Sequence, residues 1–208
     1  MPKVWQDNTH KDSKTGLWKI TESYEALRTL SQFDATGIMH EQRKIHRMAS
    51  RLILNDLLSE YGVSQAKILY QENGRPYLEH SSLEISLSHS GDYAAAAVSL
   101  HNPIGVDVEK IGPRVVRIQK KFMNDTELEN PGLDNLAWST LVWSAKEAMF
   151  KLYGKGNLDF KENLLVTSKP QNQISGTIKT EKSSEELAIH YRIFDSYVFT
   201  LALTRIKH

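Results

Sequence analysis

An α+β protein is expected from three features of this 208-residue chain. Two stretches with apolar residues at three- and four-residue steps, one from about His40 and one from about Leu133, have the length of long helices. Each is followed by a series of short strand-like segments, and a turn at His101-Asn102-Pro103 separates the two series. The chain therefore divides into residues 1–101 and 102–208, two similar α+β halves with the order long helix, then strands. No residue-level repeat accompanies that order.

Residues 1–35 are irregular in pattern, with a strand near Leu17–Thr21 and a short helix from Glu22 to Leu30. From about His40 the apolar positions Ile45, Met48, Ala49, Leu52, Ile53 and Leu57 mark one helix face, and Gly62 supplies the C′ stop. Strands follow at Lys67–Tyr70, Pro76–Glu79 (after the Asn73-Gly74 turn) and Leu83–Leu87. Tyr93–Leu100 holds four alanines, a helical composition, but its length and the flanking Gly91 favour a buried strand. Ile104–Glu109 is a strand, Val115–Met123 a short basic helix, and Asp125, Glu127 and Glu129 an acidic turn. The second long helix runs from about Leu133 to Tyr153 and stops at Gly154-Lys155-Gly156. Strands at 163–168, 173–180, 187–193 and 197–204 complete the chain, the last two joined by Asp195-Ser196 as a hairpin.

Composition narrows the function classes. With 26 basic and 25 acidic residues no global field favours nucleic acid or a membrane, so any phosphate recognition is local. The absence of cysteine removes disulfides, thiolate metal sites and a cysteine nucleophile. No run of about 18 apolar residues occurs, so no transmembrane helix is expected. The first thirty residues are broken by Asp7, Lys11, Asp12, Lys14 and Lys19, unlike a signal peptide, which favours a cytoplasmic protein.

Two clusters carry the chemistry. In Gly105-Val106-Asp107-Val108-Glu109, strand alternation puts Asp107 and Glu109 on one face while the valines point inward. Two such acids could simply face solvent, but carboxylates side by side near a core repel unless a cation lies between them. In the helix, Trp143, Glu147 and Lys151 form one i,i+4 stripe. That spacing also describes an exposed ion pair, yet a tryptophan on the same stripe suits a cleft better than open solvent. If strand and helix face each other, three carboxylates meet at one point beside a lysine, an oxygen-only set suited to Mg²⁺. Lys146 points about one residue step away and reads as a supporting or phosphate-facing group. Ser86-Leu87-Ser88-His89-Ser90-Gly91 ends a strand with hydroxyls around a histidine, a phosphate-binding composition rather than a hydrolase elbow. Gly74-Arg75-Pro76 is a turn with a rigid arginine, and Arg43, Lys44, Arg47 and Arg51 give the first long helix a basic side.

Taken in order, these pieces resemble the 4′-phosphopantetheinyl transferase superfamily, in its monomeric, surfactin-synthetase-activating type. The carriers of the likeness are the G-V-D-V-E strand, the W-S-A-K-E-A-M-F-K helix, the G-R-P turn and the S-L-S-H-S segment, all within about residues 40–156. The resemblance implies two α+β halves related by a pseudo-twofold, with coenzyme A bound in the cleft between them. It implies that Asp107, Glu109 and Glu147 hold Mg²⁺ (Mn²⁺ being equally acceptable to oxygen ligands), and that Lys151 and His89 contact the phosphate chain. Arg75 and Arg47 would hold the adenosine 3′-phosphate, with Arg43 or Arg51 as alternatives to Arg47.

The implied reaction is attack by a serine hydroxyl of an apo acyl or peptidyl carrier protein on the β-phosphorus of coenzyme A, releasing adenosine 3′,5′-bisphosphate. Glu147, directly or through a metal-bound water, is the expected proton acceptor. The carrier is expected near Val115–Met123, around Phe122, steered by Lys120 and Lys121. A non-catalytic coenzyme A binder and a phosphohydrolase using water are the competing readings.

Overall fold

The computed structural model describes residues 3–7, 12–33, 37–64, 66–129, 133–169 and 173–205. Its first half comprises β1 (Lys3–Asp7), β2 (Ser13–Lys19), α1 (Tyr24–Ser31), α2 (Glu41–Ser59), β3 (Ile68–Tyr70), β4 (Pro76–Leu78), β5 (Glu84–Ser90) and β6 (Tyr93–Ser99). The second comprises β7 (Ile104–Lys110), α3 (Pro113–Ile118), a 3₁₀ turn (Gln119–Lys121), α4 (Asp125–Leu128), α5 (Asn135–Tyr153), β8 (Leu164–Lys169), β9 (Gln173–Lys179), β10 (Ser184–Phe194) and β11 (Tyr197–Thr204).

Two antiparallel sheets, ordered β1-β2-β6-β5 and β7-β11-β10-β9-β8, make up the α+β architecture, with β3 and β4 as a separate hairpin. One connection order recurs. A first strand leads to a 19-residue helix, and the last strand of the half returns beside the first, giving β2-β6-β5 and β7-β11-β10. The recurring unit is therefore strand, helix, strands, one strand longer than the order read from the sequence. That opening strand, β2, begins at Ser13 rather than Leu17, and β1 pairs with it inside the stretch read as irregular. β1 is a short edge strand, and Lys-Val-Trp-Gln-Asp carries little alternation to announce it.

The alanines of β6 have a packing role. Ala94, Ala96 and Val98 meet α2 through Ile53, Leu54 and Leu57. Ala95 and Ala97 face the second sheet, joining Leu17 to Val106, Val108, Phe199 and Leu201. Small side chains on both faces let a helix and a sheet close on one strand, and here that tertiary demand overrides helical propensity. α5 covers the second sheet with Leu141, Ala145, Ala148 and Met149 against Leu164, Ile178, Leu187 and Val198.

The acidic turn folds as α4, where Asn124 caps Glu127 N–H and the Glu127 carboxylate returns to Asn124 N–H, a capping box. The short basic helix is likewise split, α3 giving way to the 3₁₀ turn before Phe122. Asp195 and Ser196 both take positive φ, 44° and 62°, matching a two-residue hairpin turn.

The edges of the two sheets meet where β5 runs alongside β7. Serine hydroxyls replace a main-chain ladder there: Ser86, Ser88 and Ser90 Oγ accept from Val106, Val108 and Lys110 N–H at 3.0, 3.3 and 3.2 Å. Because each partner lies 20 residues on, the two strands run parallel.

Candidate active site

Gly105 sets the distance between β7 and α5. A Cβ there would stand 1.8 Å from the Ala148 carbonyl oxygen, so the helix backbone rests directly on the strand. That seating brings the Asp107 and Glu109 face of β7 against the Trp143, Glu147 and Lys151 stripe of α5. Asp107, Glu109, Glu147 and Lys151 line one cleft of about 470 Å³, together with His89, Arg47, Arg51, Tyr70 and Arg75 from the first half, while Trp143 lies outside its lining.

On the acidic wall, Asp107 is 3% exposed. Its Oδ1 accepts from Ser88 Oγ at 2.7 Å and from Lys151 Nζ at 2.8 Å, and Lys151 also donates to the Val106 carbonyl at 3.1 Å. Oδ2 of the same carboxylate is buried with no hydrogen-bond partner. Glu109 is held at both oxygens, Oε2 by Ser90 Oγ at 3.0 Å and Oε1 by Trp143 Nε1 at 3.3 Å. Burial, reinforced by Asp107, raises its pKa above the usual carboxylate range. Glu147 is shifted further: burial, opposed by Lys151 and assisted by Asp107 and Glu109, pushes it up to about 7.

On the opposite wall, His89 opens onto the cleft with its ring stacked on His46 at 4.4 Å. His46 Nε2 lies 2.8 Å from the Gly91 carbonyl, so it carries the proton there. His89 is exposed to the cleft on one side and packed on His46 on the other. Desolvation on the packed side, then His46 and Lys151, push its pKa down to about 4.

Arg75 is fastened from two sides. Its guanidinium donates to Glu84 at 2.6 Å, and Asn73 Oδ1 accepts from the Arg75 main-chain N–H at 3.0 Å while Asn73 Nδ2 donates to the Gly154 carbonyl at 2.7 Å. Gly154 closes α5 at φ 65° with Arg75 packed over it; a Cβ would lie 2.2 Å from the guanidinium, so only glycine suits this corner. Arg51 packs over the Phe33 ring at 3.8 Å and Arg47 over Tyr70 at 5.7 Å.

Three expectations are corrected. Lys146 does not face the cleft: it is fully buried, donating to Glu127 at 2.7 Å and to the Phe160 carbonyl at 2.8 Å, as well as to the Phe122 carbonyl, so its ammonium is spent inside the core. Ser88 and Ser90 do not offer hydroxyls beside His89, because alternation turns them toward β7 and its acids. Phe122 is 2% exposed and packs edge-on against Trp143, which leaves Arg117, Lys120 and Lys121 as the exposed part of that segment.

The three acids share the cleft, but among the described residues no group of three Asp, Glu or His side chains is drawn closely enough together to hold a metal as it stands. The donor set nevertheless fits a hard divalent ion. It is all oxygen, and Asp107 Oδ2 is a buried carboxylate oxygen lacking a donor. Sequence reading places Glu127 in an acidic turn and gives it no buried role, whereas it pairs with Lys146 and its Oε1 accepts from Val166 N–H at 2.7 Å. Sequence reading passed over Tyr70, Ser50 and Phe150 as cleft residues. The i,i+3 pairing of Asn124 with Glu127 was the available signal for the first; the cleft residues carry none.

Comparison with known proteins bears on the same region. The family described as the 4′-phosphopantetheinyl transferase superfamily matches residues 103–202. A 4′-phosphopantetheinyl transferase of Bacillus subtilis is 33% identical over 121 residues, covering 52% of this chain and 54% of its own length. The 4′-phosphopantetheinyl transferase psf-1 of Bacillus pumilus is 32% identical over 117 residues, covering 52% and 50%. The 4′-phosphopantetheinyl transferase gsp of Aneurinibacillus migulanus is 28% identical over 153 residues, covering 70% and 62%. The chain thus spans about half the length of the first two relatives and somewhat more of the third. Among the described residues no helix is long and apolar enough to cross a membrane. The matched stretch, residues 103–202, holds Asp107, Glu109, Glu147 and Lys151, so the likeness to the 4′-phosphopantetheinyl transferase superfamily falls on the acidic wall of the cleft.

Proposed function

We propose that this protein, acting as a monomer whose halves are related by a pseudo-twofold, transfers the 4′-phosphopantetheine arm of coenzyme A to a serine of an acyl or peptidyl carrier protein. One observation carries the reading: a single cleft presents three carboxylates and Lys151 on one wall and His89, Arg47 and Arg75 on the other. Cations opposite carboxylates suit a substrate that is a diphosphate at one end of the cleft and a phosphate monoester at the other.

Asp107, Glu109 and Glu147 would hold Mg²⁺ or Mn²⁺, whose charge would neutralise the diphosphate as the leaving group departs. Lys151 sits beside Asp107 and adds a positive charge where negative charge builds. His89, kept neutral by its surroundings, offers the phosphate chain a hydrogen-bond donor without a formal charge. Arg75 and Arg47 fix the far phosphate and with it the attack angle. Glu147, with its pKa near neutrality, is the group suited to take the serine proton. Lys120 and Lys121, both exposed, would steer an acidic carrier by charge.

The test is intact mass. An apo carrier incubated with the protein, coenzyme A and Mg²⁺ gains one phosphopantetheine and releases adenosine bisphosphate. Release without a carrier would indicate a hydrolase, and neither product would leave only a binder.

A further inference from the structure

We infer that Ser88 and Ser90 are positioning residues for Asp107 and Glu109, fixing which oxygen of Asp107 is left to bind a divalent cation; this rests on the function proposed above. Two motifs that stand apart in the sequence lie side by side in the fold with one constant offset. Ser88 donates to Asp107 and Ser90 to Glu109, each 19 residues ahead, while each hydroxyl accepts the next N–H along β7. Ser86 keeps the main-chain bond, to Val106 N–H, but the residue 19 ahead of it is Gly105, which has no side chain to receive a proton. The alternation S-x-S-x-S opposite G-x-D-x-E thus gives one seam contact and two seam contacts that also hold an acid.

The consequence is specific at Asp107. A serine hydroxyl has one proton to give, and Ser88 gives it to Oδ1, the oxygen that already accepts from Lys151. Both donors therefore fall on one oxygen and none on Oδ2, which is buried with no partner. Leaving that oxygen bare is costly in the absence of a cation, so its orientation has to be imposed from outside the carboxylate. Ser88 supplies this: the Val108 N–H fixes the hydroxyl's other side, and the proton can then point only at the acid. Glu109 is clamped more evenly, by Ser90 on one oxygen and Trp143 on the other, so Ser90 alone matters less there.

Ser86 provides an internal control, since Ser86 and Ser88 are both buried, at 3% and 8% exposure, and both splice the seam. Mn²⁺ binding to the protein, with and without coenzyme A, is measured by electron paramagnetic resonance for wild type, S86A, S88A, S88T and S90A, alongside each thermal midpoint. Loss of an outer hydrogen bond to a ligating side chain typically weakens metal affinity about 10- to 100-fold, and S88A is expected in that range. S90A falls below it, S88T recovers most of the affinity, and S86A loses thermal stability as S88A does while binding Mn²⁺ within about twofold of wild type. Equal Mn²⁺ affinity in S88A and wild type, or equal losses in S86A and S88A, overturns the inference and leaves the proposed function standing. A wild-type protein that binds no Mn²⁺ under either condition overturns both.

Discussion

Lys146 and Lys151 stand five residues apart on α5, and each holds a carboxylate, yet the two pairs are built for different ends. Lys146 is fully buried, and Glu127 beside it has both oxygens engaged, by Val166 N–H, Asn124 N–H and the lysine itself. Lys151 remains 27% exposed to the cleft, and its partner Asp107 keeps one oxygen bare. A buried pair with every proton and lone pair placed is a fastening. A pair left incomplete at the edge of a cleft has the makings of a ligand site. Position in the motif does not distinguish them; the count of satisfied atoms does.

The contrast can be broken first at the incomplete pair. D107N keeps the shape but removes the charge, and transfer to a carrier is expected to fall by about 10³-fold or more while the thermal midpoint stays near wild type. Initial rates of carrier modification and a melting curve on the same preparation decide it. The fastening should respond the other way. K146M strands Glu127 in the core, and its unfolding free energy in urea should drop by about 3–5 kcal/mol, with specific activity of the remaining folded protein largely kept at low temperature. If K146M abolished transfer without destabilising the fold, the division drawn here would fail.

A smaller effect sharpens the far end of the cleft. R75A should raise KM for coenzyme A about tenfold with a lesser change in kcat, since under the proposed function it would remove a remote phosphate contact; steady-state kinetics with coenzyme A as the varied substrate checks this. The smallest effect is one of pH. Glu147 is pushed up to about 7 from 4.5, so the metal-free native state holds a proton in that window that the unfolded chain has released. Stability from this group is present below pH 4.5 and lost as pH rises through about 7. E147Q should therefore gain more in thermal midpoint over wild type at about pH 8 than at about pH 5. His89, lowered to about 4, contributes the opposite slope in both proteins, so the difference between them isolates Glu147.

Most of what the sequence displayed was periodic. Ile45 through Leu57 and Trp143 through Lys151 announced their helices because one face repeats, and Asp107 with Glu109 announced a strand face by alternation. Lys146 could not be assigned the same way. A lysine on an amphipathic helix and a lysine sealed in a core occupy the same letter, and only the distant arrival of Glu127 from α4 decides between them. The serines were legible as a pattern but not as a direction, because the strand they face lies 20 residues on and pairs with them by side chain rather than by ladder. Phe122 illustrates the converse. It was read as a surface anchor because it lies between two motifs, whereas it fills the space beneath Trp143.

Arg75 arrives at the cleft already occupied. Its guanidinium lies over the end of α5, the negative pole of that helix, and its fork is engaged by Glu84. On the proposed function, an incoming phosphate there would trade places with a resident carboxylate instead of filling a void. Such an exchange returns little net energy, but it holds the arginine in a fixed pose beforehand and rejects anions too weak to displace the incumbent. That corner is thus built to discriminate more than to grip.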